Sequence, residues 1–152
     1  MKFKHFLDRP ITIQQNDCIV LNNIHDRSNP ISTKCINATY CTFRNIISDS
    51  DGGAISVVWT DSSLVFIDHC TFLVCSSKSN GGAIFVNIYP TQTGQLFAIH
   101  STFSHCTADN VYNNQYTRGG AIYCYTDMIN FTNTKFLNCG VNSNVGCCYG
   151  GA

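Results

Sequence analysis

Glutamate is absent from this chain of 152 residues, and all nine acidic groups are aspartate. Charged residues make up only 12% of the sequence and the formal net charge is zero. With no basic excess to neutralise phosphates, a nucleic-acid partner has no electrostatic support. Helix-favouring residues are scarce, while Thr, Val, Ile, Phe, Tyr, Asn, Ser and Gly are plentiful, which predicts strands joined by turns. No stretch approaches the ~20 apolar residues of a membrane helix. The opening Met1 to Pro10 carries basic residues but no apolar run, so neither a signal peptide nor an anchor is read in this chain. C-x-x-C pairs and zinc-finger Cys/His spacings are also missing.

Ten cysteines are present, compatible with disulfides in an oxidising compartment or with free thiols elsewhere. The sequons Asn37-Ala38-Thr39 and Asn130-Phe131-Thr132 are of a kind that chance supplies in so Asn- and Thr-rich a chain.

The dominant signal is a repeat of about 30 residues. Gly-Gly-Ala-Ile occurs at Gly52 to Ile55, Gly81 to Ile84 and Gly119 to Ile122, and its start recurs at Gly150 to Ala152. Before each copy stands a phenylalanine: Phe43, Phe72, Phe103 and Phe136. Three residues after it stand Ile46, Cys75, Cys106 and Cys139. Two before it stand Cys41, Cys70, Ser101 and Thr134. Five before it stand Ala38, Ile67, Ala98 and Phe131, and seven before it Ile36, Val65, Leu96 and Ile129. Ile55, Ile84 and Ile122 alternate with Val57, Val86 and Cys124. These spacings of two predict strands with one buried face. No tight two-residue turn joins them as hairpins. Each repeat is therefore expected to hold two or three strands that pair in parallel with their equivalents in the next repeat, about 4.8 Å away.

The expected fold is all-β: a right-handed parallel β-helix, or solenoid, of about four to five coils. The hand is expected from the usual hand of β-crossovers and from the family resemblance given below. Residues 1–34 are read as a degenerate N-terminal coil or cap, with Cys18 matched to Cys41 and Val20 falling in the phenylalanine column. Asn29-Pro30 marks the turn that leaves it. Residues 35–152 are read as β-helix repeats that stop inside a motif, which predicts a stretch of a longer solenoid with an open sheet edge. The glycine pairs are expected to supply a positive φ or a close approach to the neighbouring coil.

The coupling of Gly-Gly-Ala-Ile to Phe-x-x-Asn or Phe-x-x-Cys resembles the repeat of polymorphic outer-membrane-protein-type sequences within the right-handed parallel β-helix superfamily. The chain departs from it in placing Cys or Ile where that repeat favours Asn. Its cysteine-rich form is similar to large surface-protein families of some protists. The resemblance implies an extracellular or cell-surface module, often adhesive, with no defined enzymatic activity.

Three kinds of site can be read from residues. Val65-Phe66-Ile67-Asp68-His69 resembles the Trp-Ile-Asp-His signature of pectate lyases, making Asp68 and His69 catalytic candidates. No Asp cluster for calcium and no matching Arg accompany them. Asp68 also aligns with Thr39, Ile99 and Thr132, so a coincidence of the repeat face is preferred. Asp49 and Asp51 could pair as carboxylates, though Asp before Gly-Gly needs no function. Second, His69 and His100 share a column with Tyr40 and Asn133 and are metal candidates; His105 lies past the phenylalanine, and no cofactor is expected. Third, the outward positions Trp59, Phe85, Tyr123 and Tyr125, with Tyr112, Tyr116 and Arg118 of the long loop, form a candidate face for a glycan or protein ligand.

Cysteines in register are expected to stay reduced as small buried hydrophobes, because parallel stacking holds Cβ atoms farther apart than a disulfide wants. The alternative is disulfides between offset partners, such as Cys70 with Cys75, or Cys147 and Cys148 with a distant cysteine. The vicinal pair is the expected reactive spot. The favoured function is a non-catalytic structural or adhesive surface module. A carbohydrate-binding module and a polysaccharide lyase or hydrolase are the alternatives.

Overall fold

The computed structural model describes residues 18–24, 30–59, 63–88, 94–110, 117–143 and 148–149. The described residues form strands and turns only. Ahead of the first full repeat come β1 (Ile19–Asn22) and β2 (Ile31–Thr33). The first repeat holds β3 (Ile36–Thr39), β4 (Thr42–Arg44), β5 (Ile47–Ser48) and β6 (Ile55–Trp59). The second holds β7 (Ser63–Asp68), β8 (Thr71–Leu73), β9 (Ser76–Ser77) and β10 (Ile84–Ile88). The third holds β11 (Gly94–Ile99), β12 (Thr102–Ser104), β13 (Thr107–Asn110), β14 (Thr117–Arg118) and β15 (Ile122–Tyr125). The fourth holds β16 (Met128–Thr132), β17 (Lys135–Leu137), β18 (Gly140–Ser143) and β19 (Cys148–Tyr149).

Equivalent strands of successive repeats are neighbours. The sheets run β1-β3-β7-β11-β16, β2-β6-β10-β15, β4-β8-β12-β17, β5-β9-β13-β18 and β14-β19. The pairings are parallel, and among the four repeats from β3 onward the register is the one the repeat columns predict. Val65 stands beside Ile36 and Leu96, and Ile67 beside Ala38 and Ala98. Ile84 lies between Ile55 and Ile122.

The inward columns make the core. Phe43, Phe72 and Phe103 are fully buried. Their rings stack at 4.6 Å and 5° for each pair, and Phe136 continues the stack at 5.1 Å. Each buried ring contributes on the order of 1.5–3 kcal/mol by leaving water. The columns open at the fourth repeat: Ile129 is 46% and Phe131 43% exposed, although their equivalents above are buried.

Four or five strands per repeat, rather than two or three, result chiefly from single residues in the left-handed region. Tyr40, His69, His100 and Asn133 have φ of 53°, 50°, 49° and 50°. Each turns the chain between the strand before it and the Phe-bearing strand. A second such column, Asn45, Val74, His105 and Asn138, has φ of 53°, 54°, 53° and 51°. The Gly-Gly pair makes the third turn and divides the two expected duties. Gly52 supplies a positive φ of 74°, whereas a Cβ on Gly53 would collide with the Gly82 carbonyl oxygen of the next repeat.

The entry segment differs from expectation. β1 pairs with β3 so that Ile19 faces Ile36 and Val20 faces Asn37. Val20 is therefore outside the phenylalanine column and 67% exposed. Cys18 is matched to Cys35, not Cys41, and the two form a disulfide with a Cα–Cα distance of 4.5 Å. In-register neighbours at the mouth of a strand pair do reach disulfide geometry, against the expectation from stacking distance alone. Asn29 and Cys147 lie outside the described residues.

Candidate functional site

The turn after β7 and β11 brings chemistry together. Asp68 ends β7 and stands in register with Thr39 and Ile99. His69 and His100 follow at equivalent left-handed positions in adjacent repeats. The polar atoms meet on the exposed side of this turn. His69 Nδ1 is 2.8 Å from Asp68 Oδ1, and His100 Nδ1 is 3.4 Å from the same oxygen. The imidazole centroids are 4.6 Å apart, and Tyr40 stacks on His69 at 4.8 Å and 24°. The side chains are 42%, 45% and 25% exposed for His69, His100 and Asp68. One donor atom from each of the three lies within 4.8 Å of the others. Two imidazoles and one carboxylate at this spacing can share a proton network or hold a cation.

Other polar residues are engaged elsewhere. His105 bridges Ser104 Oγ at 2.8 Å and Asn138 Nδ2 at 3.3 Å, apart from the Asp68 group. Asp49 pairs with Lys78 at 2.6 Å. Asp51 instead accepts from the Asn80 backbone N–H and side-chain amide, at 2.9 and 3.0 Å.

The aromatic face is smaller than the sequence suggests. Phe85 is buried, 5% exposed, and stacks on Tyr123 at 5.1 Å. It supports Tyr123 rather than offering a contact surface, which corrects its reading as an exposed aromatic. Tyr123 is half-buried, Arg118 is exposed, and Tyr125 is 51% exposed. Tyr112, Tyr116 and the Trp59 side chain lie outside the described residues.

The cysteine ladders have a role that periodicity did not reveal. Where the left-handed residue interrupts the strand, the side chain of the next repeat closes the backbone. Cys41 N–H donates to Cys70 Sγ at 3.4 Å, and Cys70 N–H donates to Ser101 Oγ at 3.1 Å. Cys70 Sγ in turn donates to the Ala38 carbonyl at 3.3 Å, and Thr134 Oγ1 to that of Ala98 at 2.6 Å. Thiol and hydroxyl are interchangeable there, a signal present in the Cys, Cys, Ser, Thr column. Cys41, Cys70, Cys75, Cys106, Cys124 and Cys139 are free thiols; Cys70 with Cys75 is thus not a disulfide.

Burial pushes the Cys70 thiol up to about 12 and Cys124 up to about 11. Cys106 also stands at about 12: the hydrogen bond with Cys139 lowers it, but that with Cys75 and burial together outweigh this. Its hydrogen bond lowers Cys75. A thiolate is disfavoured at Cys70 and Cys124, so neither is an activated nucleophile.

Residues 40–58 match the Chlamydia polymorphic membrane protein repeat. The matched stretch runs from the Tyr40 turn through Phe43 to the Gly52 to Ile55 segment and the strand that follows. The same positions recur in register in the later repeats. No curated protein and no solved structure matches the chain. Among the described residues no helix is long and apolar enough to cross a membrane.

Proposed function

We propose that this chain is a right-handed parallel β-helix of four to five coils acting as a non-catalytic structural or adhesive module at a cell surface. The observation that carries the proposal is the polymorphic membrane protein repeat at 40–58, followed by copies stacked in the same register. A stacked solenoid presents long, regular outer faces, and these suit extended contact with a surface or partner. The right hand is the hand that parallel β-crossovers take in nearly every case.

The contact face we assign is the outer side of β15, where Tyr125 is exposed and Tyr123 rests on Phe85. Arg118 lies just ahead of it in sequence. A ring fixed by stacking beneath it loses little freedom on binding, so it suits a sugar face or an apolar protein patch. The test is binding of the purified chain to arrayed glycans and immobilised matrix proteins. Saturable binding that falls at least tenfold in Tyr125→Ser supports the reading. Binding unchanged by Tyr125→Ser overturns this contact face, and no binding removes the adhesive assignment and leaves a structural one.

A further inference from the structure

We propose that Asp68, His69 and His100 form a binding site for one divalent late first-row transition ion, with Zn2+ as the type. The donor set decides the class of ion. Two imidazole nitrogens and one carboxylate oxygen suit Zn2+, Co2+, Ni2+ or Cu2+, whereas Ca2+ and Mg2+ take shells of six or more oxygens.

The geometry is close to what such an ion requires. With bonds of about 2.0–2.1 Å, a tetrahedral ion holds its ligand atoms about 3.3 Å apart. Asp68 Oδ1 already lies 2.8 Å from one Nδ1 and 3.4 Å from the other. The three donors fall within a 4.8 Å span. Small side-chain rotations suffice to centre a cation among them, and the exposure of the group leaves the fourth position to water.

The scaffold fixes this arrangement. His69 and His100 sit at φ of 50° and 49°, each flanked by strands paired in register. The His69 backbone N–H donates to the Ile99 carbonyl at 3.0 Å, tying the two turns together. Tyr40 stacks on the far side of His69 and restricts its ring. The column containing Asp68 reads Asn22, Thr39, Asp68, Ile99 and Thr132. Its single carboxylate stands where two histidines adjoin. A polar ladder needs no such coincidence; a three-ligand site does.

The experiment is a Co2+ titration of the full chain, read by its visible d–d bands, beside Zn2+ titration followed by thermal unfolding. Asparagine occupies equivalent left-handed positions at Asn23 and Asn133, so His69→Asn and His100→Asn keep the turn. Asp68→Thr, a residue native to its column, is a second folded control. We expect saturation at one equivalent, without a thiolate charge-transfer band, and a melting temperature that rises with Zn2+. Affinity should fall at least tenfold in His69→Asn, His100→Asn and Asp68→Thr alike. No uptake, uptake undiminished in these variants, or a thiolate band showing that cysteines bind instead would each overturn the proposal.

Discussion

Cys41 donates its backbone N–H to the sulfur of Cys70, one repeat further on, at 3.4 Å. Cys41 is 2% exposed, so water does not replace that acceptor. Cys70→Ser preserves both the acceptor and the donor, as Ser101 does in the same column. We expect it to cost less than ~1 kcal/mol, while Cys70→Val leaves a buried N–H unpaired and costs about 1–3 kcal/mol. Urea unfolding of the two variants checks this; equal losses would mean that the sulfur acts by packing alone.

Val74 is a β-branched residue at φ 54°, where its column otherwise carries Asn45, His105 and Asn138. A left-handed conformation costs an L-residue roughly 1–2 kcal/mol, and asparagine tolerates it best after glycine. Val74 is also 48% exposed, so little burial is lost on replacement. Val74→Asn should raise stability by about 1 kcal/mol. A neutral or destabilising result would show that the strain is relieved elsewhere.

A Cβ on Gly82 would strike the Gly120 carbonyl oxygen and the Thr107 backbone, whereas a Cβ on Gly140 meets nothing within 4 Å. Gly82→Ala must push two repeats apart, and we expect a loss of more than ~2 kcal/mol. Gly140→Ala should stay within about 0.5 kcal/mol of the parent. The pair is read by melting temperature, and similar shifts in both would contradict the close-approach account.

How far the sequence anticipates the structure depends on what sets each feature. The Phe43, Phe72, Phe103 and Phe136 column and the Ile55, Ile84, Ile122 column were legible because burial imposes a period of two and stacking repeats it. The turns at His69, His100 and Val74 were not. Isolated left-handed residues announce themselves as Gly or Asn, and the repeat masks them when another type stands there. Cys18 with Cys35 escaped notice because the entry strand is offset 17 residues from its partner, short of a full repeat. The meeting of Asp68 with His69 and His100 was half legible. The shared histidine column was visible, but the carboxylate between them follows from where the side chains turn.

Alkaline pH separates the thiols from the rest of the core. Burial raises Cys70 from 9.0 to about 12 in the folded state. Below about pH 9 both folded and unfolded forms keep the proton, and the contribution to stability is whole. Above that the unfolded chain ionises first, so stability falls as pH rises toward the folded value. Urea unfolding between about pH 8 and 10.5 should show a steeper decline in the parent than in Cys70→Ser. Equal slopes would show that Cys70 is not protected from ionising.

The surface assignment is tested most directly on intact cells of the native source. Labelling with a membrane-impermeant amine reagent, followed by recovery of this chain and mass spectrometry, reads whether its lysines face the medium. We expect modification of the chain on intact cells at a level similar to that after lysis. Labelling only after lysis would contradict a surface module and leave the stacked fold without the role proposed for it.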